Sequence, residues 1–340
     1  MVTIKDIAKA AGVSPSTVSR VISNHPRIST STRNKIKQIM AEMGYHPNMM
    51  AKSLVSKTTK TLAILLPRPA EELFQDFFFG ELLRGILTQS TLAGYDMLLS
   101  AATSPLDEQE TVSRLVLGGR VDGVILLSAR VNDPLISMLS AQNFPTVLIG
   151  RANDDTTILS VDNDNEQAAY DATSHLIMQG HQRIGFVSGP PNITVALDRK
   201  AGYQRAMREA GLEINEDWIV ESEYLQNGGY RTMNFYMSLS QRPSALVVID
   251  DTVAFGVLHG LTELGFKVPA DMCIVSFNNI ALSELASPPI SSIDVGTYEL
   301  GYTASQLLIK RIQDPLSIDQ QRIIIPHRLF VRESSLHTIR

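Results

Sequence analysis

The chain has 340 residues, with 30 Lys/Arg against 35 Asp/Glu and a single cysteine, Cys273. One thiol excludes an intrachain disulfide, and no apolar run reaches the ~20 residues that a transmembrane helix needs. Charge is unevenly spread: residues 1–60 carry ten Lys/Arg against two Asp/Glu, and residues 61–340 carry 20 against 33. A small basic head that suits a polyanion thus precedes an acidic body that does not.

The head comes first. Thr3 and Asp6 form a T-x-x-D capping signal, which predicts a helix from near Ile4, with Ile7, Ala8 and Ala11 on one face and Gly12 ending it. Ser14 as N-cap and Pro15 at the first helical position open a second helix. Its inner face is Val18, Val21 and Ile22; Pro15, Ser16, Ser19, Arg20 and Ser23 are left outside. A third helix is predicted over about 31–43, with Ile36, Ile39, Met40 and Met43 inward, Lys35 and Lys37 elsewhere, and Gly44 stopping it. Two helices joined by a tight turn, the second presenting Ser and Arg, make a helix-turn-helix. The alternative is a plain three-helix bundle with a solvated basic face. The charge, the Pro-capped second helix and the following segment weigh against it. That segment restarts at Pro47-Asn48 and is too short to hold a helix alone. Folded on a duplex, it would offer Leu54 as an apolar wedge for a minor-groove base step.

Residues 2–23 (V-T-I-K-D-I-A-K-A-A-G-V-S-P-S-T-V-S-R-V-I-S), the later T-R-N-K-I and G-Y-H-P-N-x-x-A-x-S-L resemble the DNA-binding head of LacI/GalR-family repressors. The resemblance places Pro15, Ser16 and Arg20 in the major groove and Asn48, Ala51, Leu54 and Val55 on a minor-groove hinge helix. Thr3, Ile4, Ser19, Ser23, Arg27, Ser29 and Thr32 complete the DNA contact set it implies. Pro15 has no polar group to offer, so base reading falls to Ser16 and Arg20, with Arg20 suited to a bidentate contact with guanine. A single head makes few phosphate contacts. A homodimer reading a near-palindromic operator, with half-sites about one helical turn apart, is therefore expected.

In the body, apolar runs at 62–66, 96–99, 124–127 and 147–149, then 184–187, 246–249 and 273–277, alternate with amphipathic windows such as 81–92, 166–179, 198–210 and 252–264. Buried strands alternating with helices predict parallel sheets, here in two doubly wound lobes. The stretch 162–165 reads as the first crossover. Pro288-Pro289 and a helix at about 299–312 read as the return. The domains expected are a head at 1–46, a hinge and linker at 47–60 and a body at 61–340. Lobe 1 takes about 61–161 plus 290–320, and lobe 2 about 162–289 plus 321–340. Ligands in such sheets bind beyond the carboxyl ends of strands, which points to 74–79, Arg151, 192–199, Tyr224, Asp250, Asp251 and Asn278. Aromatic faces beside carboxylates, amides and Arg suit a polyhydroxylated ligand. Each also has a plainer reading: Phe77, Phe78 and Phe79 as core, Tyr224 as packing, Asp250-Asp251 as a helix cap, Asp162 and Asn163 as crossover anchors.

V-D-N at 161–163, G-H-x-R-I at 180–184 and R-x-A-G-Y at 199–203 resemble the effector domain of the same family. The fold implied is an all-α helix-turn-helix head plus an α/β periplasmic-binding-protein-like body of two doubly wound parallel-sheet lobes. The resemblance puts Phe78, Phe79, Val195, Arg199, Tyr224, Asp250 and Asn278 in the effector cleft. Asn278 departs from the carboxylate common there. Ile193 stands where the purine-responsive branch has an Arg. Both remove charge and suit a neutral sugar. F-Q-D-F-F-F-G-E-L-L-R-G-I and V-S-F-N-N-I-A-L-S-E-L-A-S-P-P resemble the maltose-operon repressors of low-GC Gram-positive bacteria, which implies maltose or a short maltodextrin as inducer.

The N-terminus is a charged, capped helix rather than an apolar leader, so a cytoplasmic chain is expected. The seven histidines show no ligand spacing, so no metal or other cofactor is expected. There is no P-loop and no nucleophile elbow. A ligand-controlled repressor is the leading reading. A sugar-binding protein without a DNA role would share the body but not the basic head. An enzyme would need paired catalytic groups, for which only Asp250-Asp251 comes near. Within the repressor class, the runner-up is a global catabolite regulator controlled by a phosphorylated carrier protein.

Overall fold

A computed structural model describes residues 2–23, 25–46, 58–66, 73, 76–102, 104–127, 130–152, 158–222, 226–315 and 322–336. It divides into two compact units, Met1–Thr59 and Lys60–Arg340.

The first unit packs α1 (Ile4–Ala11), α2 (Pro15–Ile22) and α3 (Thr30–Glu42) around Ile7, Ala8, Ala11, Val18, Val21 and Ile36, all buried. The Asp6 carboxylate accepts from the Thr3 N–H at 2.9 Å and the Thr3 hydroxyl at 2.7 Å, which fixes the start of α1. Gly12 ends α1 at φ +69°, a left-handed conformation that costs glycine little. Ser14 caps α2 by accepting from the Thr17 N–H at 3.2 Å.

The second unit contains two six-stranded sheets. The first has the order β11 (Arg322–Ile324), β5 (Leu159–Asp162), β4 (Thr146–Ile149), β3 (Gly123–Leu126), β1 (Thr61–Leu66) and β2 (Asp96–Ala101). Every pair in it is parallel. The second has the order β12 (Arg328–Phe330), β10 (Ser291–Asp294), β9 (Cys273–Phe277), β8 (Ala245–Val248), β6 (Ile184–Ser188) and β7 (Ile219–Glu221). Only β12 runs antiparallel. The inner strands β3, β4, β5 and β8 are buried along their whole length. Helices cover both faces, so these strands read as continuous apolar runs rather than alternating ones.

The helices beside the first sheet are α4 (Phe77–Leu92), α5 (Pro105–Leu117) and α6 (Pro134–Ala141). Those beside the second are α7 (Asn165–Met178), α8 (Thr194–Glu209), α9 (Gln226–Ser238), α10 (Asp251–Glu263) and the short α11 (Ala281–Leu285). A last helix, α12 (Thr297–Gln313), returns to the first lobe and packs on α4. That packing needs glycine. A Cβ on Gly85 would sit 2.2 Å from the Tyr298 carbonyl oxygen, and one on Gly301 would sit 2.1 Å from that of Leu82. The close approach fixes α4, whose first turn reaches the cleft.

The exchange between lobes differs from the sequence expectation in two places. Residues 290–320 were assigned to the first lobe, yet β10 pairs with β9 in the second sheet. Residues 321–340 were assigned to the second lobe, yet β11 pairs with β5 in the first. Pro288-Pro289 lies before β10, and the chain turns instead at Gly296, φ +63°, directly before α12. The three crossovers meet at one side chain. The buried Asn163 amide donates to the carbonyls of Val295 at 2.8 Å and Ile325 at 2.9 Å.

Candidate functional site

On the head, α2 turns Pro15, Ser16, Ser19 and Arg20 to solvent, with Ser23 exposed just beyond its end. The Arg20 guanidinium makes no hydrogen bond or ion pair among the described residues, so its donor fork is available to a partner. Arg27 is exposed beyond it. Ser29 and Thr32 are committed to capping α3: Ser29 donates to the Thr32 hydroxyl at 2.8 Å and accepts from its N–H at 3.3 Å. Thr3 is engaged with Asp6, and Ile4 is half-buried against the head core. Lys35 donates to the Ala11 carbonyl at 3.0 Å and so caps the end of α1. Asn48, Ala51, Leu54 and Val55 lie outside the described residues.

In the body, a cavity of about 260 Å³ lies where the carboxyl ends of both sheets face each other. It is lined by six of the seven effector residues expected from the sequence: Phe78, Phe79, Val195, Arg199, Asp250 and Asn278. The seventh, Tyr224, lies outside the described residues. Asp76 caps α4 by accepting from the Phe78 N–H at 3.0 Å. The three phenylalanines then divide. Phe77 is exposed, Phe79 is buried in the core, and Phe78 stands edge-on to Phe79 at 5.3 Å.

Arg199 is 5 % exposed. Its guanidinium lies 4.2 Å over the Phe277 ring, donates to the Asn165 side-chain oxygen at 3.1 Å and donates to the Ile249 carbonyl. The Asn165 amide in turn donates to Asp162 at 3.0 Å, and Arg322 donates to the other Asp162 oxygen at 2.7 Å. One buried amide thus separates a cation from a carboxylate. Loss of hydration pushes the Asp162 carboxyl above its ordinary range, with Arg322 opposing.

Asp250 caps α10, accepting from the Val253 N–H at 2.7 Å, and still lines the cavity. Asp251 points elsewhere. It is wholly buried, accepts from the hydroxyls of Ser276 and Ser292 and from the Ile280 N–H, and its carboxyl is pushed up to about 7 by desolvation. The two neighbours do not converge on one atom, as paired catalytic carboxylates must. Asn278 reaches the cavity from a turn at φ +96°, followed by Asn279 at φ +49°.

Sequence reasoning did not place Arg130 or Asn165 in the site. It placed Asp162 and Asn163 only at the crossover, where Asn163 does act, although both also line the cavity. Arg130 follows β3, a strand whose carboxyl end was passed over. It is paired with the buried Glu108, whose carboxyl is raised by desolvation. No group of His, Cys, Asp and Glu among the described residues could hold a metal ion. No helix among them is long and apolar enough to cross a membrane.

Two family profiles match the chain: "Bacterial regulatory proteins, lacI family" over residues 3–48 and "Periplasmic binding protein-like domain" over residues 173–335. The chain is 35% identical over 335 residues to "Catabolite control protein A" of Priestia megaterium, covering 98% of this chain and 99% of that one. It is 33% identical over 334 residues to "HTH-type transcriptional regulator MalR" of Streptococcus pneumoniae, covering 96% and 98%. Among solved structures, the lac repressor dimer bound to operator and the anti-inducer ONPF superposes with TM-score 0.87 at 25% identity, covering 98% and 99%. A probable maltose operon transcriptional repressor, malR, of Staphylococcus aureus superposes with TM-score 0.74 at 26% identity, covering 82% and 98%. With a helix-turn-helix head, a two-lobed parallel-sheet body and relatives of this identity along nearly its whole length, the chain belongs to the lacI family of bacterial regulatory proteins and is a DNA-binding transcriptional regulator.

Proposed function

We propose that the chain is a homodimeric repressor that reads a near-palindromic operator and releases it when a small neutral sugar, maltose or a short maltodextrin, fills the cleft. The observation that carries this reading is the lining of the cavity. Phe78 gives an apolar face, while Asp76, Asn163, Asn192, Asp250, Asn278 and Arg199 offer acceptors and donors around it. Sugars present C–H faces for rings and hydroxyls that both donate and accept, so mixed amide and carboxylate walls suit them. The volume of about 260 Å³ is near the lower end for small-molecule pockets, roughly 300–1,000 Å³, which suits a small ligand. Ile193 on the wall supplies no cation for an anionic base. Similarity to a maltose operon repressor supports the choice of sugar.

Binding would close the lobes and shift the partners within the dimer, leaving residues 48–55 unable to fold on DNA. Only a ligand with different affinities for the two states can do this. The site binds rather than transforms its ligand, and the chain acts in the cytoplasm without metal or cofactor. A calorimetric titration with maltose, maltotriose, cellobiose and glucose, followed by operator binding with and without each, tests the reading. Absence of maltose binding at millimolar concentration would overturn the sugar assignment, and bound sugar without operator release would overturn the inducer role. Sedimentation showing only monomer at micromolar concentration would overturn the dimer.

Similarity to the catabolite control protein favours a second reading, global catabolite control with a phosphorylated carrier protein as partner. Operator affinity that rises on adding such a carrier, and ignores the sugars, would select it.

A further inference from the structure

Among the described residues, two contacts span the mouth of the cleft without belonging to any crossover. On one side Arg151, just beyond β4, grips the Asp198 carboxylate on α8 with two nitrogens, Nε lying 2.7 Å from Oδ2. On the other, the Val131 N–H donates to the Asn192 carbonyl at 2.9 Å, and Arg130 and Ile193 form an antiparallel bridge. Arg151 and Val131 belong to the first lobe, Asp198 and Asn192 to the second. Each contact flanks the cavity wall. Gly150 precedes Arg151, Arg199 follows Asp198, and Arg130, Asn192 and Ile193 are themselves lining residues. The lobes are also joined by the crossovers around Asn163, which follow β5, the neighbour of β4 in the first sheet.

The crossovers are covalent and hold in any arrangement of the lobes, whereas the mouth contacts are non-covalent and can part and re-form as the lobes move. We infer that the Arg151–Asp198 pair is a latch that sets effector affinity without touching the effector. Neither residue lines the cavity, so both are positioning residues. The pair suits this role. Its side chains are 28% and 16% exposed, shielded enough to escape most screening. The two-point Arg–carboxylate geometry is satisfied in one orientation of the lobes only. The Val131–Asn192 bond is backbone and persists in any side-chain variant, so loss of the ion pair should bias the closure rather than abolish it.

This inference rests on the cavity being the effector site, and the test separates the two. In the full chain, Arg151→Gln, Asp198→Asn, the double variant and Arg151→Lys are titrated with maltose by calorimetry. Separately, spin labels at Leu117→Cys on α5 and Met178→Cys on α7, both exposed, report the lobe-to-lobe distance without sugar. Each single neutralisation should weaken maltose binding roughly threefold to tenfold. The double should be no weaker than either single, and Arg151→Lys should fall between. The sugar-free distance should lengthen and broaden in the neutralised variants while urea midpoints move little. Unchanged affinity in the variants, or losses that add in the double, would overturn the latch. If the unmodified chain binds no maltose, the sugar assignment fails, and the distance alone decides: lengthening supports the latch, and no change overturns it.

Discussion

Replacing Arg199 with alanine should lower the stability of the body by about 3–5 kcal/mol and abolish sugar-induced operator release. The magnitude follows from what the guanidinium holds. It donates to Asn165 and to the Ile249 carbonyl, and hydrogen bonds from a charged donor contribute roughly 1.5–3 kcal/mol each. It also lies 4.2 Å over Phe277, a cation–π contact of about 0.5–2 kcal/mol. Water entering the vacated space would satisfy part of the orphaned oxygens, so the net falls below the sum. Against a typical domain stability of about 5–15 kcal/mol the body stays folded at 25 °C, but its urea midpoint should drop by roughly 1–2 M. Arg199→Lys, which keeps the charge but not the fork or the planar stack, should lose about half as much. The head is a separate compact unit, so operator affinity without sugar should hold. Urea melts of the three proteins, with sugar titrations on each, check this. A midpoint unchanged in Arg199→Ala would refute the packing role, and normal release by sugar would refute the contact with effector.

Arg20→Ala should cost about 1–3 kcal/mol of operator affinity and relax selectivity at one base pair per half-site; gel-shift assays on operator and random DNA check it, and equal losses on both would refute base reading. Leu54→Ala should leave sugar binding and thermal stability intact while weakening operator binding by a few kcal/mol, because a wedge must offset the cost of unstacking; unchanged operator affinity would place Leu54 in the protein core. Asp251 gives a pH dependence. Its folded carboxyl titrates at about 7 against an ordinary 3.8, so the folded chain holds a proton that the unfolded chain has released. Stability from this group is therefore fully present below about pH 4 and lost as pH rises through about 7, on the order of a few kcal/mol. Asp251→Asn should flatten the urea midpoint between about pH 4 and about pH 7, and parallel pH slopes in both proteins would refute it.

What the sequence disclosed and withheld has a physical pattern. Strands buried on both faces announce themselves, and the apolar run at 273–277 appears as β9 with the same bounds. Helix starts marked by Ser14-Pro15 or Thr3 with Asp6 are equally local, and the structure places them as expected. Sheet membership is not local. Nothing within Ser291–Asp294 says that it pairs with β9 rather than with a strand of the first lobe, and Pro288-Pro289 was the louder but wrong boundary signal. The same holds in the cleft. Phe78, Val195, Arg199 and Asn278 lie in segments that strand ends and family resemblance both pointed to, whereas Asn165 is an ordinary helix-opening residue until Arg199, 34 positions on, donates to it. The partner of Lys35 is equally hidden, because the Ala11 carbonyl is 24 residues away. Arg151 and Asp198 stand 47 apart and belong to different lobes. Their partnership exists only once both lobes have folded and closed.

The strength of that partnership is bounded from both sides if closure carries the signal. A latch strong enough to close every molecule would leave the sugar nothing to do, since an equilibrium already at its limit has no population left to shift. A body with no contacts at the mouth would draw the whole free energy of closure from the sugar, and its apparent affinity would fall by the fraction of molecules that are competent to bind. A partly exposed ion pair contributes on the order of 1 kcal/mol, which moves the closed-to-open ratio by roughly fivefold and no more. The one backbone bond from Val131 to Asn192 adds an increment of similar size, about 1 kcal/mol. Contacts of this size leave the closure open to being tipped by the few hydroxyl contacts of a small sugar. Strengthening the latch should therefore tighten sugar binding and weaken control over DNA at the same time, a trade-off that a cleft held by crossovers alone would not show.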